Sequence, residues 1–73
     1  MLGVQPRERF AKNLRAQRQA RGLSQEALGH ACGLHRTEIS LLERAAREPR
    51  LSTIVRLARA LDLRPADLLD GIR

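Results

Sequence analysis

Apolar residues recur at helical spacing in five separate stretches of the chain, and each stretch is bounded by residues that start or stop a helix. The predicted helices cover about residues 6–21, 25–32, 36–44, 52–61 and 65–71. Because the connections are short, this pattern predicts an all-α fold: a compact five-helix bundle formed by residues 6–73 as one domain. Residues 1–5 are predicted to be a short N-terminal tail.

Residues 24–44 have the clearest pattern, that of two short helices separated by a turn. Ser24 is a good N-cap, and Leu23 and Leu28 flank it at the two positions of a hydrophobic staple. Gly33 supplies the positive φ with which many helices end. The segment therefore predicts a helix, a tight turn and a second helix.

The second helix of this segment has two distinct sides when its residues are placed at about 100° intervals. The inner side carries the apolar residues and two carboxylates: Glu38, Ile39, Leu42 and Glu43. The outer side carries hydrogen-bonding groups and one apolar residue: Arg36, Thr37, Ser40, Leu41 and Arg44. Such an outer side is what a helix inserted in the DNA major groove would present to the bases.

The first helix carries an arginine on its apolar stripe. Arg18 follows Phe10 and Leu14 at i+4 spacing. A buried charge without a partner is costly, so this position predicts an ion pair, and Glu43 is the best candidate. The alternative is that Arg18 extends to solvent.

The remaining helices are predicted to supply the core. The helix over residues 25–32 is expected to bury Ala27, Leu28 and Ala31, and Gly29 is expected to allow close packing against the next helix. A stripe with i, i+3, i+4 and i+7 spacing follows in the fourth helix: Ile54, Leu57, Ala58 and Leu61. Arg56 and Arg59 are expected on its solvated face.

The C-terminal end has more apolar side chains than a short helix needs for docking: Leu63, Leu68, Leu69 and Ile72. Two interpretations are equally good. These residues close the core, or they form an isologous contact between two copies of the chain, which predicts a homodimer.

The chain is basic, with 14 Lys and Arg against 8 Asp and Glu and a formal charge of +6. The excess is concentrated in residues 1–50, which contain ten basic and five acidic residues. Such a distribution is expected for a phosphate-facing surface. A soluble basic domain without a polyanionic partner is the alternative that charge alone leaves open.

Several classes are disfavoured by composition. A single aromatic residue argues against single-strand binding by base stacking. A single cysteine precludes an intrachain disulfide, and His30 and Cys32 lack a third residue to complete a metal site. No nucleophile–base set, paired carboxylates or cofactor loop is evident, so neither an enzyme nor a cofactor is predicted. The absence of a membrane-length apolar run and of a signal peptide predicts a cytoplasmic protein.

At residues 7–71 the chain resembles the Xre/Cro-repressor helix-turn-helix family. The resemblance rests on the pattern Gln25–x3–Gly29–x3–Gly33–x5–Ile39–x2–Leu42–Glu43–Arg44, followed by Pro49–Arg50–Leu51. The run GLHRTEISLLER at residues 33–44 is especially similar to controller proteins of restriction–modification systems. The resemblance implies a lambda-repressor-like fold that binds double-stranded DNA and regulates transcription, as a homodimer on a pseudo-palindromic operator, by occluding RNA polymerase or contacting it.

The resemblance also implies roles for individual residues. The base edges would be read by Arg36, Thr37, Ser40 and Leu41. The phosphate backbone would be bound by Gln25, Arg44, Arg47 and His35, although His35 serves equally well as a helix cap. Arg18 and Glu43 correspond to a buried salt bridge of the family.

The sequence departs from the family pattern at three positions that bear on this interpretation. Ala45 stands where glycine is frequent, so the recognition helix is expected to end differently or to run longer. Glu38 replaces a common aromatic residue, and its carboxylate could accept from a cytosine amino group or repel phosphate. Leu41 replaces a frequent polar residue.

Two other functions remain open from the sequence. An antitoxin that binds a toxin protein and regulates its own synthesis would use the same fold, and co-purification with a toxin would identify it. An RNA-binding module is a weaker alternative, which competition between duplex DNA and RNA would test.

Overall fold

The computed structural model describes residues 5–73, and all regular secondary structure within this range is helical. The helices are α1 (Pro6–Ala20), α2 (Gln25–Cys32), α3 (Arg36–Glu43), α4 (Leu51–Ala60) and α5 (Pro65–Leu68). The five-helix fold agrees with the prediction, and the boundaries differ mainly at α5, which is shorter than expected. Residues 1–4 of the predicted tail lie outside the described residues. Gln5 caps α1, and its N–H donates to Glu8 Oε1 at 3.0 Å.

The core consists of apolar side chains from all five helices. The stripe predicted on α4 is buried as expected, and the largest fully buried side chains are Phe10, Leu14, Leu28, Ile39, Leu42, Leu57, Leu61 and Leu68. The prediction for α2 was wrong in part, because Ala27 and Ala31 are exposed and the buried residues are Leu28, Gly29 and Cys32. These three lie within about 100° of one another around the helix, so α2 packs along one narrow face.

Four helices end in the same hydrogen-bonded turn. After α3, Ala45 N–H donates to the Leu42 carbonyl at 3.2 Å and Ala46 N–H to the Leu41 carbonyl at 2.9 Å, the Schellman pattern. The residue with positive φ in these turns is glycine at two positions and not at the other two: Gly22, Gly33, Ala45 and Asp62. The α3 helix therefore ends in the same turn as α1, α2 and α4, although Ala45 carries a side chain at φ +56°. The expectation that α3 runs longer was wrong, because it ends at Glu43.

Arg56 holds the C-terminal end of α2. Its Nε donates to the Cys32 carbonyl at 3.1 Å and its Nη2 to the Gly33 carbonyl at 2.9 Å. Both carbonyls belong to a helix end, where the backbone leaves acceptors without intrahelical partners. The prediction that Arg56 lies on a solvated face was therefore incomplete: the residue is exposed, but its guanidinium links α4 to the turn before α3.

The C-terminal segment is fastened to α1 through Asn13. Its side-chain nitrogen donates to the carbonyls of Leu68 and Asp70, at 2.9 and 2.8 Å. Leu68 is 0% exposed and belongs to the core of the single chain, so its assignment to a dimer interface is corrected. Leu63 and Ile72 are half-buried and Leu69 is 36% exposed, which leaves these three at the surface.

The conformation of Ala45 leads to a prediction about stability. A left-handed conformation costs a residue with a Cβ roughly 1–2 kcal/mol, and glycine removes this cost. Part of the stability gained is lost again, because glycine makes the unfolded chain more flexible. We expect Ala45→Gly to stabilise the protein by about 0.5–1 kcal/mol, measured as a rise in Tm by circular dichroism. Ala46→Gly is the matched control, because Ala46 has no positive φ. An Ala45→Gly variant that melts no higher than the wild type would contradict this account.

Candidate nucleic-acid interface

The α3 helix presents the two sides that its sequence predicts. Ile39 and Leu42 are fully buried, whereas Arg36, Thr37 and Arg44 are exposed. The two other residues of the outer side, Ser40 and Leu41, are half-buried. The polar outer side is therefore accessible along the length of the helix, over a side that is anchored in the core.

The angle between α2 and α3 depends on a close approach of their backbones. A Cβ added to Gly29 would lie 2.5 Å from the carbonyl oxygen of Leu34 and 3.3 Å from the backbone nitrogen of Arg36. The Leu34 N–H donates to the Gly29 carbonyl at 2.8 Å across this contact. The close packing expected at Gly29 is present, and it leaves no space for a side chain.

A histidine caps the N-terminal end of the α3 helix. His35 Nδ1 accepts a hydrogen bond from the Thr37 backbone N–H at 3.0 Å, which is the capping role considered for it. Because Nδ1 is the acceptor, a neutral His35 carries its proton on Nε2. This nitrogen is available to donate to a phosphate, so that capping and the predicted phosphate contact are compatible.

A buried ion pair lies beneath the C-terminal end of α3. Arg18 Nε donates to Glu43 Oε2 at 2.6 Å and Arg18 Nη2 to Glu43 Oε1 at 3.0 Å. The two side chains are 11% and 3% exposed. The pair predicted from the stripe on α1 is present, and the hydrogen bond to Glu43 raises the pKa of Arg18, which stays charged.

Two further groups complete the hydrogen bonding of this pair. Arg18 Nη1 donates to the Leu23 carbonyl at 2.7 Å, and Gln25 Nε2 donates to Glu43 Oε1 at 3.1 Å. The pair thus joins α1, the loop after it, the start of α2 and the end of α3. Among residues 5–73 no buried side-chain nitrogen or oxygen is left without a hydrogen-bond partner.

The contact from Gln25 bears on its predicted role. One N–H of the side-chain amide is directed at Glu43 and away from solvent, and the side chain is half-buried. Gln25 nevertheless stands at the first position of α2, where backbone N–H groups and the helix dipole favour an anion. Its phosphate contact stays a prediction.

Arg47 forms an ion pair with Glu38. Arg47 Nη1 donates to Glu38 Oε1 at 2.6 Å, and the two side chains are 55% and 23% exposed. Neither partner was assigned to the other from the sequence, because nine residues and the end of a helix separate them. The carboxylate in the first turn of α3 is therefore neutralised within the protein itself.

A polar cleft of about 390 Å³ lies beside this pair. It is bounded by the start of α3, the loop after α3 and the start of α4, and three arginines line it: Arg47, Arg50 and Arg56. Glu38 and Glu48 are the acidic residues of its lining. Three arginines against two glutamates give this flank of α3 a small net positive charge.

The described part of the chain offers little for other chemistry. No three His, Cys, Asp or Glu side chains within residues 5–73 are placed to hold a metal ion. Burial raises the pKa of the Cys32 thiol, which disfavours the thiolate that a nucleophile requires. None of the helices between residues 5 and 73 is long and apolar enough to cross a membrane.

Comparison with known proteins gives consistent matches. Residues 14–68 match the helix-turn-helix family. The chain is 44% identical over 63 residues to the control protein C.SmaI of Serratia marcescens, and this alignment covers 86% of the chain and 75% of that protein. Two further relatives are matched over 36% and 59% of their own lengths.

Two solved structures have the same arrangement of helices. The restriction–modification controller protein C.AhdI from Aeromonas hydrophila superimposes with a TM-score of 0.83 at 42% identity, which covers 85% of this chain and 94% of that one. The P22 c2 repressor, solved in complex with synthetic operator 9T, gives a TM-score of 0.78 at 34% identity with the same coverage.

Removal of one partner of the buried pair should be strongly destabilising. Arg18→Met leaves the Glu43 carboxylate buried without its cation, which costs roughly 3–5 kcal/mol. We expect urea denaturation to show this loss, and Arg18→Met/Glu43→Leu to recover most of it, because no unpaired charge remains. Arg15→Met is the control, since Arg15 lies exposed on the same helix. A single Arg18 variant as stable as that control would contradict the structural role of the pair.

Proposed function

The chain belongs to the helix-turn-helix family of sequence-specific DNA-binding transcriptional regulators, and on this premise we propose that it reads double-stranded DNA by inserting α3 in the major groove. The observation that supports this assignment best is the two-sided α3 helix, whose buried side is anchored by Ile39, Leu42 and Glu43. A rigidly held helix with an exposed polar side can place several donors against base edges at once.

Four residues of the outer side are proposed to read the bases: Arg36, Thr37, Ser40 and Leu41. Arg36 is exposed at the first position of α3, where its forked guanidinium can pair with the O6 and N7 atoms of a guanine. Leu41 and the methyl group of Thr37 are suited to a thymine methyl group. Leu41 is half-buried, so part of its side chain is accessible for such a contact.

The phosphate backbone is proposed to be bound by Gln25, His35, Arg44 and Arg47. The N-terminal ends of α2 and α3 supply Gln25 and His35, and the exposed Arg44 and Arg47 follow the recognition helix. The formal charge of +6 supports a strong electrostatic share in binding.

A homodimer on a pseudo-palindromic operator is the proposed assembly. Leu63, Leu69 and Ile72 remain at the surface near the C-terminus. Leu69 and Ile72 also line an apolar cleft of about 230 Å³, together with Phe10 and Ile54. Two copies joined there would read half-sites separated by about one turn of DNA.

Regulation is proposed to follow from occupancy of a promoter, by excluding RNA polymerase or by contacting it. The likeness to C.SmaI and to the controller protein C.AhdI supports promoters of restriction–modification genes as the first targets to test.

Selection of bound sequences from random duplex DNA, at low and high salt, tests the function directly. We expect one enriched, symmetric sequence that persists at the higher salt concentration, because base contacts are insensitive to counterions whereas phosphate contacts are not. If no sequence is enriched and binding is lost at high salt, the protein binds DNA only through non-specific charge attraction, which would contradict the proposed function. A symmetric enriched sequence would also report the dimer.

Base-reading and phosphate-binding arginines should respond differently to substitution. We expect Arg36→Ala to cost roughly 1–3 kcal/mol on the selected sequence and to relax preference at one base pair. Arg47→Ala is the matched comparison, and it should weaken binding to every sequence alike and reduce the salt slope by at most about one unit per chain. Titrations of a selected and an unrelated duplex measure both effects. An equal loss on both duplexes for Arg36→Ala would exclude its role in base readout.

A further inference from the structure

Glu38 occupies an unusual place for a carboxylate in a protein that binds DNA. It lies in the first turn of α3, between the exposed residues that face the groove and the buried residues that face the core. Its side chain is 23% exposed and lines the polar cleft on one flank of α3. A carboxylate at this place repels DNA unless its charge is compensated.

The compensating charge is that of Arg47, one of the residues proposed to bind phosphate. Only one N–H group of its guanidinium, on Nη1, is used on Glu38, at 2.6 Å. Because the Arg47 side chain is 55% exposed, water competes with Glu38 for it and the contribution of the pair to stability is small. The contact is therefore close enough to occupy Arg47 in the free protein and weak enough to be exchanged for another anion.

The surroundings of the pair favour such an exchange. Three arginines line the adjacent cleft, and Arg56 is committed to the carbonyls at the end of α2. The second arginine is Arg47, which is paired with Glu38. The third is Arg50. A phosphate that enters the cleft would meet Arg50 and would compete with Glu38 for Arg47.

We propose that Glu38 competes with DNA phosphate for Arg47, and that this contact lowers the affinity of the protein for all duplex DNA. The inference rests on the proposed DNA-binding function and deepens it. In complexes where Arg47 stays on Glu38, it makes no phosphate contact and releases no cation from the DNA. The average number of cations released is then smaller than the number of phosphate-binding residues implies.

The test compares salt slopes for variants that change one charge each. Glu38→Gln keeps the shape of the side chain and removes its charge. We expect it to bind every duplex more tightly than the wild type and to steepen the slope of log affinity against log salt by a part of the ~0.9 per chain that one full phosphate contact contributes. Its advantage should shrink by at most about 3.5-fold as salt rises from about 50 to about 200 mM. Glu38→Ala must give the same slope, and thermal unfolding verifies that both variants fold.

Glu48→Gln is the matched control. Glu48 is exposed, lines the same cleft and is not paired with Arg47, so removal of its charge changes the net charge equally without freeing the arginine. Because Glu48 also borders the apolar cleft proposed to join two copies, sedimentation verifies that the variant keeps the wild-type oligomeric state. We expect a smaller gain and an unchanged slope. In an Arg47→Gln background, Glu38→Gln should behave no differently from Glu48→Gln, because the carboxylate then has no arginine to withhold.

Each other outcome overturns the inference. Equal slopes for Glu38→Gln, Glu48→Gln and the wild type would show that Glu38 does not compete for Arg47. Lost preference at one base pair with an unchanged slope would make Glu38 a reader of a base amino group instead. A wild-type chain that binds no duplex DNA would refute the proposed function itself. This result differs from the two preceding outcomes, in which the wild type binds DNA.

Discussion

The carboxylate of Glu43 is almost completely buried, and the arrangement of three helices follows from the need to neutralise it. Arg18 reaches it from α1 with two hydrogen bonds, and Gln25 adds a third from the start of α2. A charge in such a place is tolerated only where its partners are held at fixed distances. The recognition helix is therefore tied at its end to the two helices before it.

The same principle of satisfied polar groups operates at the other boundaries of the motif. Arg56 donates to carbonyls at the end of α2, and His35 accepts from a backbone N–H at the start of α3. Asn13 donates to carbonyls of the C-terminal segment. Each contact consumes donors or acceptors that the helix ends would otherwise expose. The apolar core supplies most of the stability of the bundle, whereas these polar contacts determine how its helices are oriented.

The helices and the Arg18–Glu43 pair could be predicted because their signals are local or periodic. Periodicity identified the stripe on α4, and a charge on an apolar stripe required a partner. The exposure of Ala27 and Ala31 could not be predicted, because alanine carries little information about which face of a short helix is buried. Long side chains were the other source of error, since Arg56 and Arg47 reach acceptors that lie 24 and 9 residues away in the sequence. The burial of Leu68 could not be predicted either, because only tertiary packing decides which of the adjacent residues Leu68 and Leu69 enters the core.

The contact at Gly29 has a consequence for how this protein can change. Since the spacing of α2 and α3 is set by one backbone against another, it does not depend on which side chains the outer face of α3 carries. Those side chains can be exchanged without moving the helix that presents them. The scaffold and its recognition surface are thus separable, and new operator preferences can arise by substitution of a few exposed residues while the framework stays constant.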